Sequence, residues 1–182
     1  MSLDIVYDEL EIQLLDKLQT NFNEVGFKKL QHVDLFNDQF QMLMQGEEEA
    51  FDFPAILVDF NDILWDDIGE FSQQGDSLIR FHVGQHLQDH TKHKSQALKY
   101  LNFVHRTLHG FTGSIFNRLV RRRTVLDISH GGVIVHIMEY TGKVFDDTAD
   151  PSKNWPGVIV DADTPHGSIN RPTDPSPYII PG

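Results

Sequence analysis

Apolar residues at Leu10, Leu14, Leu18 and Phe22, with Tyr7 and Leu15 beside them, recur at the i, i+4 spacing that stripes one face of a helix. Glu9, Glu11, Gln13, Asp16 and Lys17 fall between them and are expected to face water. Asp4, Asp8 and Glu9 suit the positive end of the helix dipole, and Gly26 closes the segment. The spacing predicts a helix over 5–24. Between 27 and 52 the apolar residues Phe27, Leu30, Val33, Leu35 and Phe36 keep no single period, and Glu47-Glu48-Glu49 then interrupts them. A short strand followed by a solvated acidic loop is expected there.

From Phe53 the texture becomes β-rich. Phe53-Pro54-Ala55-Ile56-Leu57-Val58-Asp59-Phe60 is an apolar run opened by a proline, which a strand tolerates at its start. Ile63 to Gln73 and Leu78 to Val83 flank the turn-forming cluster Gln74-Gly75-Asp76-Ser77, and Ile79, Phe81 and Val83 alternate. These two runs are expected to pair as a hairpin. Ser95 is placed to cap a second helix, whose stripe Ala97, Leu101, Val104 and Leu108 ends at Gly110 after Arg106 and His109. A loop from Phe111 to Arg123 follows. Thr124 to Ser129 and Val133 to Tyr140 then bracket His130-Gly131-Gly132, where Gly-Gly supplies the backbone angles of a tight hairpin.

Seven of the eight prolines lie after residue 150, so the tail cannot be regular helix or sheet. The division expected is one α+β domain over 1–148 and a Pro-rich extended arm over 149–182. The fold class is α+β, an antiparallel or mixed sheet of hairpins packed on one side by two main helices. No repeat is visible.

Charge and composition narrow the function. The 15 Lys and Arg against 27 Asp and Glu give a formal charge of -12, a surface that repels phosphate and disfavours broad nucleic-acid binding. Cysteine is absent, which removes disulfide scaffolds, thiolate zinc sites, iron–sulfur clusters and cysteine nucleophiles together. The start Met1-Ser2-Leu3-Asp4 lacks the basic and apolar parts of a secretory signal, and the longest apolar block, near Phe53 to Val58, is far short of a bilayer span. A soluble cytoplasmic product without a membrane partner is expected.

Several constellations could carry chemistry. His82, His86, His90 and His93 have spacings of four, four and three, which on a helix would converge His86, His90 and His93 as nitrogen ligands for a metal. Against that, Ile79 to Val83 reads as strand and Gly84 interrupts the path, so a polar loop leading to the Ser95 helix is the other reading. Asp127, Ser129 and His130 are the residue types of a hydrolase triad, but no Gly-x-Ser-x-Gly elbow occurs and a hairpin turn accounts for them. Asp59, Asp62, Asp66, Asp67 and Glu70 lack the register of a calcium loop and are expected on the solvent side of a strand and its approach. The phosphate-loop, dinucleotide and His-Glu-x-x-His signatures are missing. No catalytic residue, metal ligand or cofactor site is assigned. Arg118, Arg121, Arg122 and Arg123 concentrate four of the 15 basic residues within six positions. They either balance nearby carboxylates in a solvated loop or form a docking patch for an acidic face of another subunit.

The order of elements resembles the tail terminator and minor tail (tail-completion) proteins of long-tailed phages and prophages. The likeness rests on Phe53-Pro54-Ala55-Ile56 with Ile63-Leu64-Trp65, on Ala97-Leu98 through Leu108-His109-Gly110, and on Val125 to Asp127 followed by Val133 to Tyr140. It spans most of residues 5–146 and leaves the Pro-rich arm outside. The resemblance implies a non-enzymatic structural subunit in a virion or in the bacterial host cytoplasm. It also implies self-assembly into a ring, typically a hexamer, that caps the tail tube at its head-proximal end. The partners would be the tail-tube protein and a head-side connector, with no cofactor and no sequence-specific nucleic acid. A wall of net negative charge would let DNA pass without holding it. Two other readings stay open: a metal-binding protein or metal-dependent enzyme built on His82 to His93, and a monomeric adaptor whose arm is a ligand for another domain.

Overall fold

The computed structural model describes residues 2–45, 51–86, 93–127 and 133–151. The first apolar stripe becomes helix α1, Ser2–Leu15, which runs on into a wider π-type turn over Asp16–Thr20. The helix begins and ends a few residues earlier than the stripe implies. Val6, Leu10, Leu14 and Leu18 are buried along one side, whereas Phe22 reaches the same core from beyond the helix. The stripe therefore continues past the helix that it predicts.

Strand β1, His32–Leu35, runs parallel to β2, Ala55–Phe60. Between them lies a helix that the sequence reading misses, α2, Gln39–Gln45. The buried Gln39 starts it, its side-chain amide donating to the Leu35 carbonyl and its carbonyl oxygen accepting from the Asn37 N–H. Seven residues give too short a window for periodicity, and Phe40 with Leu43 carries its contact. The Glu47–Glu49 loop lies outside the described residues.

Strands β3, Leu64–Gly69, and β4, Ser72–His86, form the expected hairpin, but the turn is at Glu70 and Phe71. Gln74-Gly75-Asp76-Ser77 lies inside β4, not in a turn. Gly75 is needed for close approach: a Cβ there would stand 2.4 Å from Ile63 Cγ2 and 3.1 Å from the Trp65 ring. Helix α3, His93–Leu108, opens two residues before Ser95, so Ser95 lies in its first turn and is not its cap. Its expected stripe is buried, together with Tyr100.

Strand β5, Val120–Asp127, starts earlier than expected and takes in Arg121, Arg122 and Arg123, with Arg118 just ahead of it. It pairs with β6, Val133–Asp146. Arginines are compatible with an edge strand because their heads can reach water on either side. The loop before β5 is tied down by the Ser114 N–H, which donates to both Glu9 carboxylate oxygens at 3.1 and 2.9 Å.

Among the described residues the protein is α+β, with a mixed six-stranded sheet and three helices. The strand order is β1-β2-β4-β6-β5, with β3 also paired to β4. Only the β1–β2 contact is parallel. Alternation along each strand gives the sheet two unlike faces. One face packs Ile56, Val58, Ile79, Phe81, Met138 and Tyr140 beneath α1 and α3. The two long helices thus pack on one side, as expected; the other face bears only the short α2, where Phe40 and Phe53 join Ala55, Leu57, Val133 and Val135 in a smaller cluster. Residues through Asp150 form one compact unit. The arm beyond Pro151 lies outside the described residues. No described helix is long and apolar enough to cross a membrane.

Candidate functional site

The face bearing α2 changes character along the strands. Beneath α2 it is apolar, and Gly84 admits the Phe40 ring, since a Cβ at that position would lie 2.5 Å from it. One row further on, His82 is buried and its ring stacks on Phe36 at 3.9 Å with an interplanar angle of 10°. The next row is ionic. Register places Asp59 beside Arg80, Arg80 beside Glu139, and Glu139 beside Arg123. Four adjacent strands thus carry alternating signs in one transverse line.

The contacts in that line tighten toward β5. Arg80 Nη1 reaches Asp59 Oδ2 at 3.4 Å and Asn61 Oδ1 at 3.4 Å, while its Nε donates to Glu139 Oε1 at 3.3 Å. Arg123 meets Glu139 as a fork, Nη2 to Oε1 at 2.9 Å and Nε to Oε2 at 3.0 Å. The Arg123 hydrogen bond above all, with help from Arg80, holds the Glu139 carboxyl below the ordinary carboxylate range, although its partial burial pushes the other way. Glu139 has 10% of its side-chain surface exposed against 63% for Arg123, so the row runs from a sheltered acid to a cation at the edge.

The two lateral edges of the sheet differ in sign. On the β5 edge Arg121, Arg122 and Arg123 are exposed, and the pairing with β6 shifts register between Arg121 and Arg123. Such a bulge fits one residue more on β5 than on β6. Arg122 Nε donates to Thr141 Oγ1 at 2.7 Å. Behind this edge, the His105 Nδ1 lies 3.1 Å from the Tyr140 hydroxyl, and the Arg121 N–H donates to His109 Nδ1 at 3.4 Å. Burial first, then the charges of Arg121 and His109, lower the His105 pKa.

The opposite side of the sheet is acidic. Asp66 and Asp67 are exposed on β3, and Glu70 is exposed at its turn. Asp34 lies on β1 close enough to Tyr7, together with Glu11 and Asp8, to add to the burial that raises that phenol to about 12. Both edges also expose apolar groups: Leu64 at 83% and Ile68 at 52% on β3, Leu126 at 52% and Val125 at 36% on β5.

Among the other residues singled out from sequence, only His82 and His86 can be compared directly. His82 and His86 share a strand and a face, but four residues of strand separate them by about 13 Å, too far for one ion. His90 lies outside the described residues, and of His93 only its place at the start of α3 is described. No cluster of three or more metal-ligating side chains occurs among the described residues. Asp127 ends β5, and Ser129 with His130 lies outside the described residues. Asp59 is not a simple solvent-facing residue, because Arg80 engages it. Arg80 and Glu139 escaped the sequence reading altogether. Their partners are at least 16 positions distant, so only strand register could have revealed them. No protein-family model matches the chain, and no curated protein is significantly similar to it.

Proposed function

We propose that this chain is a non-catalytic assembly subunit, a tail terminator or tail-completion protein of the long-tailed-phage type, that joins copies of itself head to tail into a ring. The opposite charge of the two sheet edges carries this reading. Arg121 to Arg123 line one edge, and Asp66, Asp67 and Asp34 line the strands at the other. Two unlike, complementary surfaces on one subunit make a heterologous contact, which closes into a ring when the rotation per copy divides a full turn.

The formal charge of -12 supports the same reading, since a ring around a DNA passage should not retain phosphate. Tail-tube and head-side connector proteins are the partners that follow from the resemblance, and a virion or host cytoplasm is the corresponding location. Native mass spectrometry at low and high salt tests the assembly. A discrete ring that dissociates as salt screens the edges is expected. Arg122→Asp should shift the population to monomers, and adding Asp67→Arg should restore assembly. A wild-type chain that stays monomeric at every concentration and salt would overturn the reading.

A further inference from the structure

We infer that the ring contact is sheet continuation, with β3 of one copy lying antiparallel to β5 of the next and Leu64, Asp66 and Asp67 facing Val125, Arg123 and Arg122. This rests on the assembly reading above and supplies its register. The opposed residue numbers sum to a constant, so one antiparallel alignment matches all three pairs. Asp66 pairs with Gln74, which is beside Phe145, and Arg123 pairs with Glu139, six residues before Phe145 on β6. Even spacing puts Asp66 and Arg123 on the same face of the sheet, and Leu64 and Val125 go with them. The Leu64–Val125 and Asp66–Arg123 pairs then meet on one side.

Strand direction makes the contact propagate. Strands β5, β6, β4 and β3 alternate in direction, so an antiparallel junction gives the next β5 the direction of the first. The next copy is neither flipped nor reversed, as a cyclic operator requires. The junction also steps along the strands. Arg123 stands level with Arg80 of β4, and Asp66 stands level with Gln74. That six-residue stagger is about 20 Å, against a width of about 19 Å for four strands, so closure needs strands inclined at about 45° to the ring axis. Closed sheets have strand tilts of about 35–45°.

Both strands have an unpaired side among the described residues, since β3 pairs only with β4 and β5 only with β6. The bulge sets Arg121 near the end of the ladder, and its pairing with Tyr140 puts it on the same face as Asp67, which it can serve. The contact would also lengthen the ionic row by one member, as Asp66 of the next copy would follow Arg123.

The absence of cysteine makes the register directly testable. A Leu64→Cys, Val125→Cys double variant changes two exposed side chains, and directly opposed strand residues have Cβ atoms about 4.5–5.5 Å apart, close to disulfide range. Mild oxidation should give a ladder of covalent oligomers ending at the ring number. Leu64→Cys with Leu126→Cys should give none, because Leu126 points to the other face. An independent Asp66→Lys, Asp67→Lys variant, checked for native circular dichroism, should lose the assembled species. Assembly by wild type without the 64–125 ladder, or an equally strong ladder from an Asp34→Cys, Val125→Cys pair, would overturn this register and leave the assembly reading standing. A monomeric wild type would remove both.

Discussion

The two faces of this sheet are stabilised by different physics, although the same strands supply both. Beneath α1 and α3, side chains such as Leu10, Leu14, Ile79, Phe81 and Tyr140 are fully buried and packed among themselves. Their attraction is non-directional and grows with the apolar area removed from water. The face bearing α2 has the smaller apolar cluster, then His82 beneath Phe36, then four charges in a line. Ion pairs that remain partly wet add little net stability, because desolvation and side-chain ordering offset their attraction. They are sensitive to register, however, since a one-residue slip of any of the four strands would send its own charge to the opposite face and break the row. The helix-backed face therefore holds the fold, and the ionic row fixes how the strands line up and which charges reach the edges.

The sharpest way to break this contrast is to remove bulk from the helix-backed face. Leu14 is fully buried in the main cluster, and Leu14→Ala should cost about 2–5 kcal/mol, the transfer of the lost methyl groups plus the cavity left behind. Urea denaturation followed by far-UV circular dichroism reads the effect as a lower midpoint at an unchanged slope. A loss below about 1 kcal/mol would show that the stability is not concentrated on this side.

Glu139→Gln probes the other face and should cost about 1–2 kcal/mol at neutral pH, less than the leucine truncation, since Arg80 and Arg123 keep water within reach. Its pH dependence distinguishes it further. Glu139 titrates below its ordinary 4.5 in the folded chain, so its contribution is present above about pH 4.5 and is lost as the pH falls through the lowered folded value. The gap between wild type and Glu139→Gln should close in acid. A gap that stays constant from pH 7 to below pH 4 would mean that shape, and not charge, is what Glu139 supplies.

How much of this contrast can be read from the chain alone differs between the two faces. The apolar stripes of α1 and α3 repeat within a few residues, so the helices, and the face they bury, follow from local spacing. The β5–β6 pair is equally local. The ionic row is not, because Asp59, Arg80, Arg123 and Glu139 come from four segments and meet only through register. Gly75 misled because turns and close backbone approach use the same residue; the Ile63 contact that decides between them is tertiary. The arginine cluster was visible by composition, while its place on an edge strand was not. His82 and His86 illustrate the same limit: a period of four gathers side chains on a helix and spreads them along a strand such as β4.

His136 tests the helix-backed face for a weak point. It is buried on β6, and its Nδ1 has no hydrogen-bond partner among the described residues. Desolvation lowers its pKa from 6.5. The unfolded chain therefore takes up the proton first as the pH drops below 6.5, and stability falls from there until the folded value is reached. His136→Leu should match or exceed wild type at pH 7.5, by up to about 1 kcal/mol, and should lose less stability between pH 7 and 5. Identical pH profiles for the two proteins would exclude His136 as a source of acid sensitivity.

The smallest expected effect on folding is also the one that separates folding from assembly. Leu64 is 83% exposed on β3, so Leu64→Ser removes almost no buried area and should change the unfolding free energy by less than about 0.5 kcal/mol. An apolar group held out in water on an edge strand invites contact with another chain. If copies join through this edge, Leu64→Ser should raise the concentration needed for assembly while leaving the denaturation curve of the monomer in place. A shifted denaturation curve would mean that Leu64 supports its own subunit, and the edge would then belong to the fold before it belonged to any interface.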